Sequence, residues 1–122
     1  MSMFDDYMMR MVKQLTEAIA SIVRKLRGGS LEDADQEIAA AYDALLEHNL
    51  SFLELVDTDT LAHLLGSNEK VQLLAKLSWL EAELAQARGD TTRESQLRTR
   101  ARKLLAIAVR EDPSAANALR DL

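Results

Sequence analysis

Cysteine is absent from this 122-residue chain, which removes disulfides, thiolate zinc sites and thiol catalysis together. One proline and four glycines leave long stretches without a breaker. No segment alternates with the two-residue period of a strand, and no apolar run approaches the roughly 18 residues of a membrane span. Asp5 and Asp6 stand where a secretory leader carries positive charge, so a cytoplasmic protein is expected, with no membrane partner. The RGD string at 88–90 and the Asn49-Leu50-Ser51 glycosylation triplet both presuppose export, and are expected to be chance matches.

What is present is helix-forming. Apolar residues make up 48% of the chain, mostly Leu, Ala, Ile, Val and Met. That length suits one domain able to bury about two thirds of its unfolded surface. The class expected is all-α, with antiparallel helical hairpins forming a bundle of five to six helices.

Phe4, Met8, Met11, Leu15, Ile19, Ile22 and Leu26 recur at spacings of three and four, one stripe of a helix over about 5–27. Acids open it and Arg24, Lys25 and Arg27 close it, as the helix dipole favours. Asp6–Arg10 and Lys13–Glu17 have the spacing of pairs along one helix. Gly28-Gly29 stops it. Ser30 is the expected cap of a second helix to about Asn49, which completes a first hairpin over 5–49. Ser51 and Glu54 have capping-box spacing, and Asp57 or Thr58 can cap a connecting helix over about 57–65. A second hairpin over 68–111 begins at Ser67 or Asn68 and turns at Gly89. Its second helix is capped by Asp90 or Thr91, with Thr91 and Glu94 as a further capping box. Asp112-Pro113 starts a short terminal helix over 113–121. The helix after Asn68 is apolar nearly all round, with a polar stripe of Gln72, Lys76 and Glu83, so it should be central.

Two segments resemble the second half of a tetratricopeptide repeat. Five, nine and twelve residues after Gly29 stand Ala34, Ile38 and Ala41, as that pattern asks. After Gly89 the same positions hold Glu94, Arg98 and Ala101, although Ala108 to Pro113 repeats the closing spacing. The chain also resembles an uncharacterised bacterial family of small helical proteins, a domain of unknown function. The likeness lies in Phe4 to Met11, Ala34 to Leu46, Asp59 to Leu65, and Glu81 to Leu84 before Gly89-Asp90. It implies a tetratricopeptide-like, bacterial, cytoplasmic protein and lends no activity or site residue.

Charge is unevenly distributed. Residues 1–27, 28–69 and 70–122 carry formal charges of +2, −10 and +3, within a total of −5. The acidic second helix is therefore expected to face the basic helix 91–111, or the acidic half of one molecule the basic half of another. The stretch RGDTTRESQLRTRARK at 88–103 holds six basic residues. Arg93, Arg98, Arg100, Arg102, Lys103 and Arg110 fan over a wide arc, as a solvated helix back does. No nearby aromatic is expected for base stacking. Asp57-Thr-Asp59 fails the calcium-loop pattern at Leu61, Ala62 and Asn68, and capping explains both acids. His48 and His63 lack metal-ligand spacing, so no metal and no cofactor is expected. Glu81 falls within an apolar arc and is expected to pair with Lys70 or Arg88.

Met1, Met3, Met8, Met9 and Met11 crowd the first helix. Met9, with Val12 and Val23, widens its apolar face beyond one partner helix. The expected function is a non-enzymatic protein-interaction or scaffold module forming homo-oligomers. Its interaction surface would draw on Tyr7, Met9 and Arg10 of the first helix and on Arg98 and Arg102. The alternative is a nucleic-acid-associated regulator acting through the basic helix 93–110. An enzyme has no recognisable constellation behind it.

Overall fold

Capping side chains and left-handed glycines divide the chain much as the sequence implies. The computed structural model describes residues 3–47, 49–120 and 122. Among them are six α-helices: α1 (Met3–Arg27), α2 (Leu31–Leu45), α3 (Phe52–Leu55), α4 (Thr58–Leu65), α5 (Asn68–Ala87) and α6 (Thr91–Glu111). A 3-10 turn, Pro113–Asn117, follows. Asp57 accepts from the Thr60 N–H at 2.7 Å, Ser67 from Lys70 at 3.3 Å and Asp90 from Arg93 at 3.0 Å, so each holds the start of its helix. Gly66 and Gly89 end α4 and α5 at φ of +80° and +77°, a conformation in which a Cβ would be strained.

Several local expectations need correction. Ser30 and Ser51 sit at helix starts, but neither side chain makes a cap hydrogen bond. Asp90, not Thr91, caps α6; the expected Thr91–Glu94 box does not form, and Glu94 pairs with Arg98 instead, at 2.8 Å. The second helix ends at Leu45 rather than Asn49, since Glu47 adopts φ of +51°, which no α-helix can accommodate. The terminal segment is a 3-10 turn that ends at Asn117, with Asp112 accepting from the Ser114 N–H. Along α1, Asp6, Lys13 and Glu17 make no ion pair among the described residues. The Arg10 guanidinium donates instead to the Asp6 backbone carbonyl at 3.4 Å. The side chains expected for Met1, Met3, Phe4 and Asp5, and His48 as a helix-end residue, lie outside the described residues.

α5 occupies the centre, as its apolar circumference demands. Half of its residues are buried, including Leu73, Leu74, Leu77, Leu80 and Leu84. α1 and α2 pack on it from one side and α6 from the other, with α4 lying across α5 and α6. Met11, Leu15, Ile19 and Ile22 of α1 join Ile38, Ala41 and Leu45 of α2 in the same cluster as the α5 leucines. α5 and α6 run antiparallel: Glu81 meets Arg93, Ser78 meets Arg100, and Asn68 reaches the Ala108 carbonyl at 2.9 Å. Such contacts pin the register of the pair at both ends.

Candidate functional site

Three regions concentrate the chemistry, and the first is a polar cluster set into the core. Ser78 of α5 has no exposed surface, the one fully buried polar residue among those described. Its hydroxyl accepts from Arg100 Nε at 2.9 Å. The same guanidinium donates through Nη2 to the Tyr42 hydroxyl at 2.9 Å and to Glu81 Oε1 at 3.4 Å. Tyr42 in turn donates to Glu81 Oε1 at 2.8 Å, and Arg93 reaches Glu81 Oε2 at 3.3 Å. α2, α5 and α6 are thus tied by one network. No buried side-chain nitrogen or oxygen among the described residues lacks a partner. Burial is the main force pushing the Tyr42 phenol well above its usual range, opposed by the Arg100 charge. The phenol therefore stays protonated and acts as a donor.

This cluster overturns two expectations. Glu81 does pair with cations, yet with Arg93 and Arg100 across the α5–α6 turn, not with Lys70 or Arg88 on its own helix. Arg88 instead bridges to Glu32 at 2.9 Å and Asp35 at 3.1 Å. Nor is the basic arc of α6 a uniformly solvated back. The Arg100 side chain is only 14% exposed, and Arg98 only 17%. Arg98 lies over the Trp79 ring at 4.4 Å, with Arg102 at 5.6 Å. An aromatic is therefore beside the arginines after all, but two guanidinium groups already cover it. The acidic α2 does not face α6 broadly, because α5 stands between them. Its acids find Arg88 and, through Glu37, Lys25 of α1.

The second region is a groove of about 480 Å³ between residues 53–61 and α6. Leu53, Val56, Leu61 and Ile107 line it, with Asp57 and Asp59 on one wall and Arg100, Lys103 and Arg110 on the other. Asp57 caps α4, and that backbone hydrogen bond from Thr60 holds its carboxyl below the usual carboxylate range. Asp59 is exposed and lines the groove, so capping does not explain both acids. Of the cluster, only Arg100 reaches this groove.

The third region is a cleft of about 740 Å³ between α1 and α2, bordered by Tyr7, Arg10, Ala40 and Ala44. Tyr7 and Met9 are large side chains left 49% and 62% exposed on α1. The residues expected to form one interaction surface thus divide. Tyr7, Met9 and Arg10 lie on α1, Arg98 and Arg102 on α6 beside Trp79. His63 is exposed at the edge of a small cavity. Among the described residues no three metal-ligating side chains converge, and no helix is long and apolar enough to cross a membrane.

The polar cluster is what sequence reasoning missed. A signal was available: Ser78 and Arg100 stand eleven residues either side of Gly89, so an antiparallel turn there brings them level. Compared with known proteins, the chain matches no family model, no curated protein and no solved structure.

Proposed function

We propose that this chain is a non-enzymatic, cytoplasmic protein-interaction module of tetratricopeptide-like helix pairs, able to associate with itself. The carrying observation is the groove between residues 53–61 and α6, where apolar side chains lie between an acidic wall and a basic one. Such a surface suits a peptide segment with apolar anchors flanked by charges of both signs, which fix its direction. The chain's reactive-looking groups support the same reading. Glu81, Tyr42 and Ser78 are engaged with Arg100, so the groove presents its apolar side chains with Asp59, Lys103 and Arg110, which make no ion pair among the described residues.

The nucleic-acid reading is weakened because three of its arginines are engaged within the chain. Arg93 and Arg100 hold Glu81, and Arg98 holds Glu94 and covers Trp79. A photo-crosslinking residue placed at Ile107, within the groove, should capture a discrete protein in the native cell. The same residue at Thr92 on exposed α6 surface should not. Equal capture at both positions would contradict the groove as the binding surface.

A further inference from the structure

We infer that a second copy of this chain docks antiparallel along α1, across a two-fold axis near Thr16. This rests on the interaction-module reading but uses a different surface from the groove. Three observations on α1 carry it.

The first is a stripe only partly covered by the core. At about 100° per residue, Met9, Val12, Thr16, Ala20 and Val23 share one arc of the helix. Met9, Thr16 and Ala20 are exposed and Val12 and Val23 only half-buried, so the stripe lies beside the core seam rather than in it. Thr16 Oγ1 donates to the Val12 carbonyl at 2.7 Å, which satisfies the hydroxyl within its own helix. The polar atom at the middle of the stripe therefore needs no water, and its desolvation is inexpensive.

Charge along one flank supplies the second. Asp6, Lys13, Glu17 and Arg24 fall within an arc of about 40° beside the stripe. None of the four makes an ion pair among the described residues, although Lys25, next in sequence, is paired with Glu37.

Third, the pattern is self-complementary. Asp6 and Arg24 are equidistant from residue 15, and so are Lys13 and Glu17. Reversing the helix about that point sets Asp6 against Arg24 of a second copy and Lys13 against its Glu17, each twice. A two-fold axis perpendicular to an antiparallel pair puts the same flank of both helices on one side, so these charges meet. In a parallel pair the charged flank would meet the partner's core flank instead. The orientation is thus set by the sequence of α1.

The test is sedimentation equilibrium and oxidative crosslinking with four variants, each checked for helicity. The native chain should dimerise. Glu17→Lys places lysine against lysine twice and should weaken the dimer at least tenfold, whereas Lys13→Glu with Glu17→Lys should restore it. Since the chain has no cysteine, Thr16→Cys introduces a single thiol near the axis. Mild oxidation should link two such chains, while Ser95→Cys on α6 should remain unlinked. A mass of 13.6 kDa at every concentration would overturn the inference. So would a dimer indifferent to Glu17→Lys, or one that Thr16→Cys cannot link. A monomer that still crosslinks a partner through Ile107 would remove the α1 contact and leave the groove reading standing.

Discussion

Arg100 Nε lies 2.9 Å from the hydroxyl of Ser78, a residue with no accessible surface at the centre of α5. That contact turns a long, exposed-looking cation of a basic helix into a strut that also holds Tyr42 and Glu81. Arg100→Ala leaves the buried Ser78 hydroxyl without its donor and takes a charged donor from Tyr42 and Glu81, and should cost about 3 kcal/mol in urea unfolding. Ser78→Ala removes only one hydrogen bond and should cost about 1 kcal/mol. Equal losses for the two variants would show that the network does not converge on Arg100.

Alkaline pH should expose the same network. Burial holds the Tyr42 proton more tightly in the folded chain than in the unfolded one, where 10.0 is the reference value. Its contribution is therefore complete below pH 10 and falls as pH rises beyond that. In a Tyr7→Phe background, the remaining phenol should ionise together with unfolding, seen by ultraviolet absorbance and circular dichroism. Tyr42→Phe should flatten that part of the pH dependence.

Acid should act elsewhere. The folded-state carboxyl of Asp57 lies below its reference value of 3.8, so its contribution is complete above that value and disappears as pH falls below it. Thermal melts between pH 5 and pH 2 should show a steeper loss for the native chain than for Asp57→Ala. Parallel losses would mean that the cap does not hold α4.

Arg98 and Arg102 should differ although both flank Trp79. Arg98→Glu breaks the Glu94 pair and the closer ring contact, and should cost about 1 kcal/mol with a change in tryptophan emission. Arg102→Glu, on an exposed side chain, should cost under about 0.5 kcal/mol. Neither DNA nor RNA should shift the native chain at low salt, where phosphate contacts are strongest. A shift abolished by Arg102→Glu would revive the basic helix as a binding surface.

These contrasts show where sequence was sufficient. Caps at Asp57, Ser67, Asp90 and Asp112, and the left-handed glycines at 66 and 89, are local devices, so helix starts and stops were legible from neighbouring residues. The central place of α5 was legible because an all-round apolar helix has no solvated face. The partners of Glu81 were not. Pairing rules along one helix pointed to Lys70 and Arg88, whereas the cations come from α6 and depend on the register of the α5–α6 turn. The end of α2 is not legible either, because it depends on a positive φ at Glu47, a residue whose type gives no hint of it. For α1, the i, i+4 spacing suggested internal pairs, and the structure leaves those charges facing outward.

The most direct comparison sets two variants against the native chain in the cell. Tyr42→Phe disturbs the buried cluster, while Lys103→Glu reverses one charge of the groove's basic wall without touching the cluster. Quantitative affinity capture should recover the same partner proteins with the native chain and with Tyr42→Phe, and lose at least one with Lys103→Glu. Loss of partners or phenotype with Tyr42→Phe alone, in a chain that still folds, would place the function in the polar cluster and contradict a surface role.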